Sequence, residues 1–270
     1  MAAAVASALG VFAERAGAAP TSALAAFMAL NGVAAFVALM SGIAAPYGRY
    51  STGGWGFFID AKLAWVTQEL GSFAVPAVWL ALFATPEQRG RAAAPANGLL
   101  LACFLGHYAY RALVFPLRMR GGKPTPFVVW LLAAVFTCYN GYMQAKYFLT
   151  EAPRGAAITP RVAAGVALWG VGLGVNLHSD EILRRLRRPG ETGYKIPRGG
   201  AFELVSAANY TGEMLEWAGW ALAAWSAPAA AFAFFVFCNL APRGWHHHHW
   251  YKSKFPRYPK ARRAVIPSLW

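Results

Sequence analysis

Residues 61–84 read AKLAWVTQELGSFAVPAVWLALFA, a run dominated by apolar side chains. A helix that crosses the hydrocarbon core of a bilayer needs about 20 such residues. The run is therefore long enough to span a membrane. Near its middle it carries a carboxylate, Glu69, and an ionisable group at that depth normally faces a cavity or a partner. This stretch predicts a transmembrane helix with a functional group inside it.

Six further apolar runs lie along the chain, at residues 21–45, 97–115, 126–149, 161–177, 202–225 and 228–240. The sequence of 270 residues is 57% hydrophobic and 13% charged, against roughly 25% charged residues in ordinary soluble domains. Lipid is therefore the solvent for most of the chain. We predict an all-α polytopic membrane bundle of about seven transmembrane helices, forming one domain over residues 1–270 with no Rossmann domain.

The charged residues are strongly asymmetric. A formal net charge of +14 would suggest nucleic acid as a partner in a soluble protein, but here the cations gather in loops and tails, which excludes a basic nucleic-acid-binding domain. With seven spans, 18 Lys and Arg residues share one face and five share the other. The positive-inside rule then places the C-terminus on the cytoplasmic side of the membrane. That membrane is expected to be the inner membrane in a bacterium or the endoplasmic reticulum in a eukaryote.

Polar side chains recur inside the apolar runs. Asn209, Glu213 and Glu216 are spaced i, i+4 and i+7 and so share one helical face. The other members are Glu69, His107, Tyr108, Arg111, Asn140, Gln144, Asn176, His178 and Asp180. We expect polar stripes to face one cavity. The alternative, hydrogen bonds that only hold helices together, stays open for Asn140 and Gln144.

Two of these groups suit an apolar substrate that carries a carbonyl. Desolvation favours the protonated form of a carboxyl group such as Glu69. A neutral acid can donate a hydrogen bond to a carbonyl oxygen. Tyr108 is a second donor and its natural companion.

The basic loop after the fifth run indicates a phosphate-bearing ligand. Residues 184–198 read RRLRRPGETGYKIPR, which combines guanidinium groups suited to phosphate with Tyr194, an aromatic that could stack on a base. A loop that is basic only for reasons of topology is the open alternative.

Two other patterns carry less weight. Gly170, Gly172 and Gly174 lie within an apolar span rather than between a strand and a helix, so a dinucleotide fingerprint is not indicated, and Gly170 with Gly174 are expected to allow close helix packing. The histidines at 246–249 are adjacent and cannot all face one ion, and no Cys, Asp or Glu lies close in sequence. No metal site is predicted.

Several motifs occur together in one order. They are Gln68-Glu69-Leu70, His107-Tyr108 with Arg111, RGGKP at 120–124, Asn140-Gly141, NLHSDEILR at 176–184, RRPGETGYKIPRGG at 187–200, Ala208-Asn209-Tyr210 with Gly212-Glu213, His247-His248, and Tyr258-Pro259-Lys260. In these motifs, over residues 65–270, the chain resembles the steroid 5α-reductase family.

The resemblance implies NADPH-dependent reduction of the Δ4 double bond of a 3-oxo-Δ4-steroid, with hydride transferred to C5. By the same resemblance, Glu69 and Tyr108 are the catalytic pair that polarises the C3 ketone. The positions that match NADPH contacts are Arg111, Arg120, Asn176, Asp180, Arg187, Tyr194, Lys195, Asn209, Glu213, His247 and Tyr251. The expected partners are a lipophilic steroid-like substrate and membrane lipid, with no obligate protein partner.

Other functions stay open at this point. A relative that reduces polyprenols or long-chain enoyl thioesters is the nearest alternative, although Glu69 with Tyr108 favours a ketone. A transporter could line its cavity with the same residues, but no internal repeat is visible. A lipid-modifying methyltransferase is more distant. Gly71 stands where the vertebrate enzymes have proline, which leaves substrate preference undecided.

Overall fold

The computed structural model describes residues 19–51, 53–186, 191 and 193–270, and these residues are mainly helical. The helices are α1 (Thr21–Met40), α2 (Ala61–Phe83), α3 (Pro86–Ala92), α4 (Pro95–Arg118), α5 (Phe127–Glu151), α6 (Pro160–Arg185), α7 (Ala208–Ala224) and α8 (Ala227–Lys254). Short 3₁₀ turns form at Gly48–Tyr50 and Gly200–Glu203. Strands β1 (Phe58–Ile59) and β2 (Thr125–Pro126) pair antiparallel, with Phe58 opposite Pro126.

The helices confirm an integral membrane protein of the polytopic all-α class. Within the described ranges, five of them are long and apolar enough to cross a membrane: α1, α2, α4, α5 and α6. Helix α7 has 17 residues, and α8 ends in a polar segment rich in histidine. Seven crossings therefore remain a prediction.

Local sequence explains where several helices begin. The Asp60 carboxylate accepts hydrogen bonds from the backbone N–H groups of Lys62 and Leu63 at the start of α2. The Thr159 hydroxyl accepts the N–H of Val162 in the same way at the start of α6. These side chains satisfy N–H groups that a helix leaves unpaired at its first turn. Pro160 follows at the first helical position, where its missing N–H costs nothing.

Two helices extend beyond the apolar runs that predicted them. The runs at 161–177 and 228–240 were expected to end in a loop and a tail, but α6 continues to Arg185 and α8 to Lys254. The apolar run at 202–225 starts before its α-helix, since α7 begins only at Ala208. Hydropathy marks the part of a helix that meets lipid, whereas backbone hydrogen bonds continue into the polar part that packs on loops.

Helices α6 and α7 pack with their backbones in contact, and glycines make this possible. A Cβ atom built on Gly172 would lie 2.2 Å from the backbone nitrogen of Glu216, and one on Gly212 would lie 2.4 Å from the nitrogen of Asn176. Gly165 and Gly219 form a second contact of the same kind toward the other end of the two helices. This pair has the most extensive contact between helices in the described chain.

The expected packing role of Gly170 and Gly174 was wrong. Both are exposed, and a Cβ on either would meet nothing within 4 Å. Gly165 and Gly172 lie seven residues apart and therefore face α7 together, whereas Gly170 and Gly174 fall on the opposite side of α6. Glycines do allow close packing of this helix, but the pair expected from the sequence lies on the wrong face.

Further helix contacts complete the bundle. Helices α2 and α5 also approach closely, since a Cβ on Gly71 would lie 2.6 Å from the nitrogen of Cys138. Trp225 adopts a left-handed conformation (φ 46°) between α7 and α8, which turns the chain back within two residues. Buried aromatic rings then fill the core between α4, α5, α7 and α8; they are Phe104, Phe148, Trp217, Trp220 and Phe232.

The glycine contact yields a paired test. Gly172→Ala should lower the thermal stability of the protein in detergent, because overpacking a tight contact costs about 1–3 kcal/mol and the obstacle here is backbone. Gly170→Ala, two residues away on the open face, should leave stability unchanged or raise it slightly, since alanine is the better helix former. Thermal unfolding of both variants against the wild type is the measurement. Equal effects from the two substitutions would contradict the packing described above.

Candidate functional site

Arg111 of α4 is the centre of a buried polar cluster between helices. Its Nη1 lies 2.9 Å from Oδ2 of Asp180 on α6, and its Nη2 lies 4.0 Å from Oε2 of Glu213 on α7. The three side chains are 12%, 9% and 19% exposed. One guanidinium is therefore the shared partner of two carboxylates from two other helices, and buried ionisable groups need such a partner.

The cluster extends along the contact between α6 and α7. Nδ2 of Asn209 donates to Oδ1 of Asp180 at 3.1 Å, and Nδ2 of Asn176 donates to the carbonyl oxygen of Asn209 at 2.9 Å. Oδ1 of Asn176 is buried without a hydrogen-bond partner among the described residues. It is an acceptor available to a ligand that carries an N–H group.

The backbone of α4 departs from a regular α-helix around Arg111. Residues Tyr110–Val114 form a π-helical turn, a feature that is frequent at functional sites. The carbonyl oxygen of Arg111 accepts a hydrogen bond from Nε1 of Trp65 on α2 at 3.1 Å. The guanidinium of Arg111 lies over the rings of Trp65 and Phe115, 5.1 and 4.5 Å from their centroids.

The catalytic pair expected from the sequence borders this cluster. Tyr108 is buried, and its hydroxyl receives a hydrogen bond from Nδ2 of Asn140 at 3.4 Å. Glu69 is half-buried on α2 and interacts electrostatically with Tyr108, Arg111 and Glu213. Helices α2 and α4 thus bring two candidate ketone-binding groups to one region.

A second buried pair lies on the same two helix faces as Arg111 and Glu213. Nδ1 of His107 is 2.6 Å from Oε1 of Glu216, and both side chains are almost entirely inaccessible to solvent. The sequence analysis named both residues among the polar positions but gave neither a role. The i, i+3 spacing of Glu213 and Glu216 was the available signal.

A separate group of aromatic and basic residues lies where the loop before β1 meets α8. Nη1 of Arg243 donates to the Tyr47 hydroxyl at 3.2 Å, and that hydroxyl lies 3.3 Å from the Tyr210 hydroxyl. Nδ1 of His247 is 3.0 Å from the Tyr50 hydroxyl, and the two rings stack. We call Tyr47, Arg49, Tyr50, Tyr194, Tyr210, Arg243, His247, Trp250 and Tyr251 the end cluster.

Arg49 occupies an aromatic cage within the end cluster. Its guanidinium carbon lies 5.0 Å from the ring centroid of Tyr194, 4.4 Å from that of Trp250 and 4.9 Å from that of Tyr251. Nη1 of Arg49 and Nε of Arg243 are buried without hydrogen-bond partners in the part of the chain that the structure describes. Two guanidiniums with unused donors are suited to an anionic ligand.

Tyr50 and Glu213 define the electrostatics of this end. Burial raises the pKa of Tyr50 to about 12, and its protonated phenol can donate to Nδ1 of His247. Glu213 interacts electrostatically with Tyr210 and Arg243 as well as with Arg111. It therefore connects the cluster around Arg111 with the end cluster.

The C-terminal segment fastens the loop that precedes α7. Arg262 is buried, donates to the carbonyl oxygen of Pro197 at 2.8 Å and pairs with Glu203 at 3.3 Å. A hydrogen bond from the Gly199 N–H and the nearby Arg262 lower the pKa of Glu203. Ser206 bonds both His248 and Tyr258 at 2.7 Å. The loop that carries Tyr194 is thus tied to α8.

Two of the residues expected to bind cofactor, Arg120 and Lys195, are not brought into either cluster. Arg120 is exposed after α4, and within the described residues it makes no polar contact with either cluster. Lys195 forms an ion pair with Glu191 at the surface. Arg187 lies outside the residues that the structure describes.

Other residues of the end cluster were missed by the sequence analysis. Arg49, Tyr50, Tyr210, Arg243 and Trp250 come from three segments far apart in the chain, and nothing in their spacing links them. Their proximity depends on how the loop before β1 lies across α7 and α8.

The fold and these two clusters define a class: a polytopic membrane protein with a buried polar site between helices and an anion-suited site at one end of the bundle. A sequence model of the family described as "3-oxo-5-alpha-steroid 4-dehydrogenase" matches residues 123–270. The chain belongs to this family and is an oxidoreductase that acts on a CH–CH group.

Several known proteins are similar to this chain over most of its length. It is 50% identical to 3-oxo-5-alpha-steroid 4-dehydrogenase 1 of Bos taurus over 240 residues, 88% of this chain and 92% of the relative. It is 49% identical to the type 1 protein of Homo sapiens, over 83% of this chain and 85% of the relative. It is 44% identical to the human type 2 protein, over 90% and 93%. The resemblance seen in the motifs is confirmed.

Proposed function

We propose that this protein reduces the Δ4 double bond of 3-oxo-Δ4-steroids with NADPH, by hydride transfer to C5 while Glu69 and Tyr108 polarise the C3 ketone. The observation that carries the proposal is the convergence of Glu69, Tyr108 and the Arg111 cluster between α2, α4, α6 and α7. The names of the relatives support a 3-oxosteroid substrate.

The roles of Glu69 and Tyr108 follow from the charge that develops on the substrate. Reduction at the β carbon of an enone moves electron density onto the ketone oxygen. Donors fixed in a water-poor site stabilise that oxygen strongly, because they need no reorganisation as the charge appears. Tyr108 is held by Asn140 and by neighbouring rings, and Glu69 is the second group proposed to face the ketone oxygen.

The first test removes each donor. Glu69→Leu and Tyr108→Phe should each lower kcat for testosterone by about 100-fold, the usual effect of losing one such donor, while NADPH affinity stays within about two-fold. Tyr110→Phe is the matched control, because the Tyr110 hydroxyl binds Arg118 at the surface. The readout is 5α-reduced product formed by purified protein in detergent.

The possible outcomes test the proposed mechanism and the proposed substrate separately. Wild-type turnover with both variants unaffected would contradict the polarising pair. NADPH binding without reduction of any 3-oxosteroid would leave the family intact and move the substrate toward another lipid enone or an enoyl thioester. Failure to bind NADPH would contradict the cofactor assignment.

The residues present fit a dinucleotide phosphate. Arg49 and Arg243 carry buried N–H donors without partners, and Asn176 carries a buried acceptor without one, within the described residues. NADPH, when bound, supplies the hydride. We propose that the end cluster, including Tyr194, His247 and Tyr251, holds its phosphate-bearing part. Arg111, Asn176, Asp180, Asn209 and Glu213 would then hold the part nearest the substrate.

Arg120, Arg187 and Lys195 remain proposed contacts from the family resemblance. Arg120 and Lys195 contact neither cluster in the described structure, and Arg187 lies outside the described residues. All three are basic, as a phosphate contact requires.

The cofactor proposal predicts that a substitution in the end cluster weakens NADPH binding with little effect on kcat. Arg49→Met should weaken NADPH binding by about 10- to 100-fold, the value of a charge-assisted hydrogen bond, and should leave kcat at saturating NADPH within a few-fold. Lys254→Met, which removes an exposed cation at the end of α8, should leave affinity unchanged. The measurement is a fluorescence titration with NADPH. Equal affinities of the two variants would exclude Arg49 as a contact.

We also propose that the C-terminus faces the cytoplasm, as the charge asymmetry indicates. Membrane-impermeant thiol labelling of Lys260→Cys should then require permeabilised cells or inside-out vesicles. Arg154→Cys, on the opposite predicted face, should label in intact bacterial cells. The reverse pattern would invert the topology without affecting the reaction proposed.

A further inference from the structure

The pair formed by His107 and Glu216 has no part in the reaction proposed above. Nδ1 of His107 and Oε1 of Glu216 are 2.6 Å apart, and the side chains are 3% and 0% exposed. Oε2 of Glu216 has no hydrogen-bond partner among the described residues. Burial of such a pair costs about as much as the attraction returns. Stability alone therefore does not account for it.

The backbone of Glu216 is fixed by its contact with α6. Its backbone nitrogen and Cα lie against Gly172 of α6, so close that a methyl group on that glycine would not fit. A carboxylate on this fixed backbone can hold the ring that it binds in one orientation. The carboxylate that orients a catalytic imidazole in a triad acts by the same logic.

The imidazole of His107 in turn forms one wall of the space around Tyr108. Its ring lies 5.0 Å from the Tyr108 ring and 4.6 Å from the Trp217 ring, edge to face in both cases. Trp217 stacks on Tyr108 at 5.8 Å, and Phe104 lies 4.9 Å away. Of these three neighbouring rings, His107 is the one bonded to a carboxylate.

We propose that His107 and Glu216 are positioning residues for Tyr108: Glu216 fixes the imidazole, and the imidazole fixes the orientation of the Tyr108 ring and so of its hydroxyl. The inference rests on the proposed role of Tyr108 as a ketone donor. His107 and Glu216 would act on the reaction only through the side chain of Tyr108.

The pair also links α4 to α7, and the test must separate that link from positioning. Trp220 provides the matched control, because its Nε1 donates to the carbonyl oxygen of Leu100 at 3.0 Å and so joins the same two helices. Trp220→Phe removes that hydrogen bond and keeps a buried ring. It should leave kcat within two-fold of the wild type.

The main variant replaces both members of the pair, His107→Phe with Glu216→Leu. Because both polar groups are removed together, no unpaired charge remains in the interior, and the fold is expected to survive. We expect kcat for testosterone to fall at least ten-fold while NADPH affinity and thermal stability stay near those of the wild type. Glu216→Gln, which keeps the shape and weakens the bond, should cause a smaller fall and serves if the double variant does not fold.

Dependence on Tyr108 is the decisive readout. In a Tyr108→Phe background, replacement of the pair should lower kcat by less than two-fold, because the hydroxyl that it positions is gone. If turnover in that background is too low to measure, the affinity ratio between a 3-oxo steroid and its 3-deoxo analogue replaces kcat. That ratio should fall in the pair variant and in Tyr108→Phe, and no further when both are combined.

The results distinguish this inference from the function on which it rests. If the two sets of substitutions multiply their effects, or if the pair variant keeps wild-type kcat, positioning is overturned while the polarising pair stands. If Tyr108→Phe itself has no effect on turnover or on the affinity ratio, the proposed role of Tyr108 fails, and the inference fails with it.

Discussion

The contact between the backbones of α6 and α7 is the constraint on which the rest of the structure depends. Gly172 and Gly212 leave no room for side chains, so the two helices approach until Asn176 faces Gly212 and Glu216 faces Gly172. This fixes the height at which Asp180 meets Asn209 and at which Glu213 meets Arg111. A bundle held only by apolar packing would allow these polar groups to slide past one another.

Charge balance follows from that register. Asp180 and Glu213 come from the two closely packed helices and share Arg111 from α4 as their counter-ion. In a low-dielectric interior an unpaired carboxylate would be costly, which makes the three helices interdependent. The same arrangement gives Glu69 an electrostatic interaction with Arg111. Glu69 therefore lies in a polar setting rather than in plain hydrocarbon.

The end cluster shows how a membrane bundle can present an anion-suited surface without a separate dinucleotide-binding domain. Its members come from the loop at 47–50, the loop before α7, the start of α7 and the polar extension of α8. The helical extension matters, because it carries Arg243, His247 and Tyr251 on one continuous scaffold. The buried Arg262 then holds the loop that bears Tyr194 against this scaffold.

The sequence by itself determined the class of protein and the composition of its interior. Hydropathy identified five helices that can cross a membrane, and the spacing of Asn209, Glu213 and Glu216 correctly placed three polar groups on one face. Both properties are local, since they depend on residues within a few turns of one helix. The motifs added the family, which the comparisons confirmed, together with Glu69 and Tyr108 as candidates.

Only the tertiary structure decided which groups meet. Periodicity could not tell which face of α6 touches α7, so Gly170 and Gly174 were chosen where Gly165 and Gly172 make the contact. It could not bring Arg49 to Trp250 and Tyr194, because their distance in sequence carries no information about a loop crossing a helix end. Nor could it pair His107 with Glu216. Such contacts depend on the relative position of whole helices, which is fixed by packing across the bundle rather than by any one segment.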